Sequence, residues 1–285
     1  MTRVIVTGAR GLLGAAITRE FQDNGDVQAL DRTALDITDE RAVDRTVREM
    51  QPDVIVNCAA FNDVDGAEDD AAQALAVNGF GVRALARAAG SLPCTLVHYS
   101  TDFVFDGDAN RPYTEEDEPH PRSVYGLSKL LGEWYAAGHP RAFVLRVESL
   151  FGKPAAGNSS KGSLHGIVTR IRAQEEVPVF VDRTVSPSYT VDVARATRAL
   201  LESNAPAGLY HCVNSGAATW DAIAGEAATL LGRPLRLKPL TLESASLRAA
   251  RPRYCALSPA RLASAGIVMP SWQDALRRHL QSMSG

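Results

Sequence analysis

Short runs of β-branched and other apolar residues alternate with longer stretches whose apolar positions recur every three or four residues, across the first half of the chain. Residues 4–7 lack the polar alternation of a half-exposed strand and read as a buried parallel one. Residues 11–21 read as a helix, 27–30 as a second strand, and 39–50 as a helix with Thr38 or Asp39 as N-cap. Pro52 precedes a strand at 54–57. The alanine-rich stretch 66–89 is predicted as two helices, or one broken near Val77-Asn78-Gly79. Strands at 95–100 and 141–147 enclose a helix at 124–137. Strands separated by helices of this length need right-handed crossovers, so the pattern predicts an α/β fold with a doubly wound parallel sheet.

Beyond about residue 150 the texture changes. Residues 152–163 are rich in Gly, Ser, Lys and Pro and are predicted as a mobile loop, with Lys153 and Lys161 able to close over an anionic ligand. Strands are predicted at 177–181 and 208–212, and helices at 191–203, 219–231, 258–265 and 271–281, with 235–253 irregular. The expected division is a dinucleotide-binding unit at 1–150 and a small C-terminal substrate lobe at 151–285, interleaved with the sheet.

A length of 285 residues suits one large domain, or a main domain with an annex. A net charge of -3 without a basic run argues against a nucleic-acid partner. No apolar stretch approaches membrane-spanning length and no leader pattern opens the chain, so neither a membrane nor a secretion signal is expected. Cys58, Cys94, Cys212 and Cys255 lack Cys-x-x-Cys spacing, which argues against zinc or a disulfide framework and fits a reducing, cytoplasmic setting. Cys58 reads as a packed thiol. The six histidines show no paired ligand spacing and read as surface or satisfied core residues, so no metal is expected. The acidic run at 115–118 reads as a solvated loop, and Trp134, Trp220 and Trp272 as core or lobe packing.

The chemistry changes the picture more than the composition does. Gly8, Gly11 and Gly14 sit at the first strand-to-helix junction. There Gly8 serves the tight turn, Gly11 lets the backbone approach a pyrophosphate, and Gly14 lets helix and strand pack closely. The helix start at Leu12 and Leu13 offers N–H groups and a favourable dipole to the anion. Asp31, which follows the second strand, is placed to bind a ribose 2′-hydroxyl, whereas neighbouring Arg32 suits a 2′-phosphate. NADPH and NADH therefore both remain open as cofactor. Asp36 and Ile37 are expected beside the adenine, and Ala59 and Ala60 where small residues let the dinucleotide lie on the backbone.

Tyr125 and Lys129 lie one helical turn apart, and Ser100 and Thr101 end an apolar strand. In a ketone reductase the nicotinamide supplies hydride, and a side chain must protonate the nascent alkoxide. Tyr125 fits the donor, Lys129 the ammonium that lowers its pKa and holds the ribose, and Thr101 or Ser100 a donor to the carbonyl oxygen. Ligands of open parallel sheets bind outside the carboxyl ends of the strands. Asp102, Phe103, Glu148 and Ser149 follow two such ends and are expected around the substrate.

The chain resembles the extended short-chain dehydrogenases, and specifically the dTDP-4-dehydrorhamnose reductase family. The resemblance lies in Thr7-Gly-Ala-Arg-Gly-Leu-Leu-Gly14, Pro52-Asp-Val-Ile-Val-Asn57, Tyr99-Ser-Thr-Asp-Phe-Val-Phe-Asp-Gly107 and Tyr125-Gly-Leu-Ser-Lys-Leu-Leu-Gly-Glu133. It continues in Gly208-Leu-Tyr-His211, Arg251-Pro-Arg-Tyr254 and Trp272-Gln-Asp-Ala-Leu276, so that it covers almost the whole chain. It implies a Rossmann-type sheet and reduction of the C4 ketone of a nucleotide-linked 6-deoxy-4-ketohexose, dTDP-4-dehydrorhamnose before others, by a monomer or homodimer. It also implies Ser100, Thr101, Tyr125 and Lys129 in the site, with Asp102 and Phe103 near the sugar. The chain departs from the family where Arg146-Val-Glu-Ser149 replaces the usual Arg-Thr-Ser-Trp, and where Asp182-Arg-Thr-Val-Ser-Pro187 replaces Asp-Gln-x-Gly-x-Pro. Phe103 stands where related dehydratases carry a second acid, which disfavours water elimination. Two other readings share the motifs: a non-catalytic dinucleotide-binding subunit, like the regulatory subunit of methionine adenosyltransferase, and a nucleotide-sugar epimerase.

Overall fold

The computed structural model describes residues 2–23, 25–155 and 162–283; residues 156–161 of the predicted mobile loop, Lys161 among them, lie outside that description. The first half contains β1 (Thr2–Thr7), α1 (Leu12–Gln22), β2 (Gly25–Leu30), α2 (Glu40–Met50), β3 (Val54–Asn57), α3 (Val64–Asp69), α4 (Ala71–Leu75), α5 (Gly81–Gly90), β4 (Thr95–Thr101), α6 (Val124–Ala137) and β5 (Ala142–Val147). The second half contains β6 (Leu150–Phe151), α7 (Ser163–Ala173), β7 (Val177–Phe180), β8 (Thr184–Val185), β9 (Ser188–Tyr189), α8 (Thr190–Glu202), β10 (Gly208–His211), β11 (Ala218–Thr219), α9 (Trp220–Leu231), β12 (Leu237–Leu240), α10 (Ala260–Ser264) and α11 (Trp272–Ser282).

Six parallel strands form the main sheet in the order β10-β5-β4-β3-β1-β2. The buried runs of β1, β3 and β5 explain why their sequences do not alternate: helices cover both faces. On one face α1 and α8 bury Leu13, Ile17, Val193 and Leu200 against Val4, Val6, Val56 and Leu145. On the other, α2, α5 and α6 bury Val43, Val47, Leu85 and Ala136 against Ile5, Ile55 and Leu96. A third core, in which α7, α9 and α11 close on β7, belongs to the C-terminal half. That half also returns α8 and β10 to the main sheet, so the chain crosses between the units more than once. The strand order turns back between β1 and β3, and the crevice beyond their carboxyl ends is where such sheets place a ligand.

Local signals set most boundaries. Asp39 caps α2 by accepting the Ala42 N–H, and Ser123 and Ser271 cap α6 and α11 in the same way. The predicted break near Val77 is a π turn at Ala76–Phe80, joined without interruption to α4 and α5, and a further break falls at Asp70. The turn has a purpose in packing. It directs Asn78 inward to bond the backbone of Phe61 in both directions and the Ser128 hydroxyl, tying the loop after β3 to α6. Helix α7 was not predicted, because a Gly- and Ser-rich run immediately precedes it, although Leu164, Ile167, Val168 and Ile171 form its buried stripe. The region predicted as irregular contains β12, whose largely exposed residues show no alternation and which pairs with β7. Trp220 and Trp272 are buried, but Trp134 is 72% exposed, contrary to its predicted packing role: it lies on the outer face of α6. The acidic run is not simply solvated either, since Glu115 accepts the His211 N–H and Asp117 pairs with Arg111.

Candidate active site

A cavity of about 1150 Å³ opens at the carboxyl ends of β1, β3, β4 and β5. Gly11 to Gly14 form one end of it, Asn57 to Ala60 the floor, and Ser100 to Phe103 with Tyr125 and Lys129 the middle. Glu148, Ser149, Arg183, Trp220 and Arg251 form the far end. The sheet and the C-terminal lobe thus face each other across one space.

At the glycine end, α1 begins at Leu12 with Gly11 as N-cap, no capping side chain and no acidic residue in its first turn. Its leading N–H groups and dipole are therefore available to an anion. Gly8 has φ +64, and a Cβ there would stand 2.6 Å from the Ala59 backbone nitrogen, which is why the turn can lie directly on the end of β3. Asn57 anchors that strand end. It accepts the Thr7 hydroxyl at 2.7 Å and the Ala59 N–H at 3.1 Å, and bonds His98 at 3.1 Å. These residues fit the pyrophosphate of a dinucleotide. Asp31 adjoins the turn through the β1–β2 pairing and lies 3.6 Å from Arg10, but one of its oxygens is occupied by the N–H groups of Thr33 and Ala34 and the Thr33 hydroxyl. Those bonds hold its carboxyl below the usual range. Arg32 is exposed and paired with Asp36. Neither they nor Asp31 line the cavity. Ile37 departs further from expectation: its side chain is buried in the core beneath α2 and α5.

In the middle, Tyr125 and Lys129 project from α6 into the cavity, as their spacing requires. A bidentate pair between Glu133 and Arg146, at 2.8 and 2.7 Å and almost wholly buried, ties α6 to β5. The expected tuning of the tyrosine is not what the structure shows. Burial, and after it the Asp102 carboxylate, pushes the Tyr125 phenol above its ordinary value, with a Thr101 hydrogen bond opposing. Lys129 instead donates to the Tyr99 carbonyl at 2.5 Å, and its own pKa is lowered to about 8, first by burial, with Glu133 and Cys58 opposing. Tyr125 is therefore a neutral O–H, the form a proton donor needs. Thr101 also differs from expectation, because it donates its hydroxyl hydrogen to Asp102 at 2.8 Å. The buried Ser100 hydroxyl has no partner among the described residues and lines the same wall, so it is the hydroxyl placed to donate to a carbonyl oxygen. Cys58 is a partly buried thiol on the cavity floor, pushed up by burial and so un-ionised.

At the far end the structure brings Asp102, Phe103, Glu148 and Ser149 together. The ring of Phe103 meets Tyr125 edge-on at 5.5 Å. Ser149 has φ +44, a backbone state uncommon for a residue with a Cβ. Arg183 and Arg251 line the cavity without having been assigned a site role in the sequence, and Trp220, expected to serve packing, lines it as well. The motifs around Arg183 and Arg251 are visible in the sequence, but their contacts are not. Arg251 forms a bidentate pair with Asp65, at 2.8 Å on each side, which lowers the Asp65 pKa to about 2 and clamps α3 to the segment before Tyr254. Arg183 lies over the Phe103 ring and faces Cys255 Sγ at 3.1 Å.

A family model described as the RmlD substrate binding domain matches residues 1–284. The chain is 39% identical to a dTDP-4-dehydrorhamnose reductase from Streptomyces griseus, over 99% of this chain and 94% of the relative. It is 36% identical to a probable dTDP-4,6-dihydroxy-2-methyloxan-3-one 4-ketoreductase from Streptomyces antibioticus, over 96% and 93%. Among solved structures, a dTDP-4-dehydrorhamnose reductase from Bacillus anthracis in complex with NADP superposes with a TM-score of 0.92 at 32% identity, covering 99% of each chain.

Proposed function

The chain belongs to the RmlD substrate binding domain family, and we propose on that footing that it reduces the C4 ketone of a dTDP-linked 6-deoxy-4-ketohexose with NADPH or NADH. The observation that carries this reading is that a neutral Tyr125, an unengaged Ser100 hydroxyl, Lys129 and the start of α1 share one cavity. A 4-ketohexose of the dTDP-4-dehydrorhamnose type is the expected substrate. The S. antibioticus relative widens the set of sugars to be tried.

In this reading the residues divide the work by position. Gly8, Gly11, Leu12, Leu13 and Gly14 hold the pyrophosphate, with Ala59 and Ala60 beneath it and Asp31 and Arg32 at the adenosine end. The dinucleotide, when bound, supplies the hydride. Ser100 and Tyr125 hydrogen-bond the carbonyl oxygen, and Tyr125 gives its proton to that oxygen as charge develops there. Lys129, steadied by the Tyr99 carbonyl, holds a ribose hydroxyl and replenishes the tyrosine. Thr101 orients Asp102. Asp102, Phe103, Glu148 and Ser149 hold the sugar, and the lobe after residue 150 covers it. The four cysteines are free thiols, in keeping with a cytosolic enzyme.

The test is oxidation of NADPH and of NADH by the purified protein against a panel of dTDP-linked 4-ketosugars. Turnover with at least one sugar is expected. Tight binding of dinucleotide without turnover on any of them would instead support a non-catalytic subunit.

A further inference from the structure

Glu148 follows β5 directly and stands where the resemblance leads one to expect a small neutral residue. It is 2% exposed, yet it lines the cavity. Its Oε2 accepts the Ser186 N–H at 2.6 Å, while its Oε1 is buried with no partner among the described residues. Asp102 repeats the arrangement. Its Oδ1 accepts the Thr101 hydroxyl at 2.8 Å, and its Oδ2 is buried without a partner among the described residues. Ligand atoms of the two carboxyls and of Cys255 lie within 4.8 Å of one another. A buried polar atom left unpaired costs about 1–3 kcal/mol, and two side by side next to Tyr125 call for a ligand that bonds both.

The groups facing this pair can be named from each side. Arg183, between β7 and β8, acts on both carboxylates. Its Nη2 faces Cys255 Sγ at 3.1 Å and its Nε donates to the Pro252 carbonyl at 3.1 Å. Cys255 is a neutral thiol, pushed up by burial, and donates to the Pro252 carbonyl. The phenols of Tyr254 and Tyr125 face Glu148 and Asp102 and are themselves pushed up. One guanidinium against two carboxylates leaves one negative charge in excess, which a single proton cancels. Arg183 already supplies one positive charge to this cluster.

We propose, resting on the ketoreductase reading above, that Glu148 and Asp102 hold one proton between them and read the hydroxyl on the ring carbon next to the ketone. Glu148 Oε1 donates one hydrogen bond to that sugar edge, and Asp102 Oδ2 accepts one from it. Of the two carbons flanking a C4 ketone, C5 of a 6-deoxysugar carries a methyl group and the ring oxygen, which accepts a hydrogen bond but cannot donate one, so it cannot satisfy both carboxyls. The group read is therefore the C3 hydroxyl, and the enzyme discriminates against 3-deoxy substrates. Burial raises both carboxyls, Glu148 well above the ordinary range, in keeping with a retained proton. The proton sits on Oε1 because Oε2 already accepts an N–H. Loss of that proton as pH rises lowers kcat/KM for hydroxylated sugars.

The experiment compares wild type, Glu148→Gln and Glu148→Ala on a dTDP-linked 4-keto-6-deoxyhexose with and without its C3 hydroxyl, across pH. Thermal melts verify folding, and Glu148→Gln keeps the shape if the alanine variant does not fold. Wild type is expected to favour the hydroxylated sugar by about 100-fold or more in kcat/KM. Glu148→Ala should lose about 10–100-fold on the hydroxylated sugar and little on the 3-deoxy one, so that discrimination collapses. Glu148→Gln, which donates but cannot lose a proton, should lose about 3–10-fold and flatten the alkaline limb, leaving the limb that belongs to Lys129. An active wild type whose variants keep its sugar ratio and pH profile overturns the proposal alone. So does a stoichiometric divalent cation that wild type retains and Glu148→Gln releases. A wild type inactive on every ketosugar overturns the ketoreductase reading, and this proposal with it.

Discussion

One methyl group, placed at either of two glycines three residues apart, should separate cofactor binding from stability. At Gly14 a Cβ would meet the backbone on two sides, the Gly8 carbonyl oxygen and the Ala9 Cα, the latter at 2.9 Å. Neither atom belongs to a flexible side chain, so the start of α1 must move. Overpacking of this kind costs about 1–3 kcal/mol, and the gain in helix propensity from Gly to Ala returns at most about 1 kcal/mol. Gly14→Ala should therefore lose on the order of 1–2 kcal/mol, roughly 2–6 °C in Tm for a chain of this size. At Gly11 the same methyl meets only the Gly8 carbonyl oxygen, at 3.2 Å, with φ at -67 in an ordinary extended region. The fold should accept it within about 1 kcal/mol, the usual difference between Gly and Ala at an N-cap. Gly11 lines the cavity at the start of α1, however, so the methyl stands where a pyrophosphate must approach. Gly11→Ala should lose at least about tenfold in dinucleotide affinity, or 1.4 kcal/mol. Thermal denaturation and fluorescence titration with NADPH and NADH measure the two effects. Gly11→Ala binding both nucleotides like wild type would remove this turn from the cofactor site. Gly14→Ala melting above wild type would refute the packing argument.

Two further predictions concern charge. Tyr125→Phe removes only the phenolic O–H, so kcat should fall by about 10²–10⁴ while dinucleotide affinity stays near wild type; turnover close to normal would take Tyr125 out of the mechanism. His211 is a buried, neutral imidazole that donates from Nδ1 to the Tyr113 carbonyl, and burial, then Arg146, lowers its pKa to about 3. Its unfolded value is higher, about 6.5, so the unfolded chain binds the proton more readily. The stability it contributes is complete above pH 6.5 and is lost as pH falls from there towards 3, about 2 kcal/mol of it by pH 5. Melting temperatures measured between pH 7 and 5 should fall less steeply in His211→Gln, and equal slopes would contradict the assignment.

Much of the fold was legible because its signals are local. Non-alternating apolar runs mark strands covered on both faces, and a polar residue before a periodic stretch marks a helix start, as at Asp39, Ser123 and Ser271. The elements that escaped lack such signals. β12 is largely exposed and depends on β7 for its existence. The break near Val77 was legible, but its form as a π turn at Ala76–Phe80 was not, because that depends on Asn78 reaching across to Phe61 and Ser128.

The candidate site divides along the same line. The glycine turn, the Tyr125–Lys129 spacing and the strand-end hydroxyls follow from the sequence alone, because each depends on residues within a turn or two of one another. The meeting of Glu148 and Asp102 with Arg183 and Cys255, and of Asp65 with Arg251, depends on how the C-terminal lobe folds back over the strand ends. Charge states were decided there too. From spacing alone, an ammonium one turn away should have lowered the tyrosine pKa. In the folded protein both groups are buried, and desolvation, then the Asp102 carboxylate, raises the phenol while Lys129 turns to the Tyr99 carbonyl, leaving a neutral phenol beside a lysine poised at about 8. Spacing in sequence sets which groups can meet; the dielectric in which they meet, and hence their protonation, is set only once the tertiary structure has removed the water.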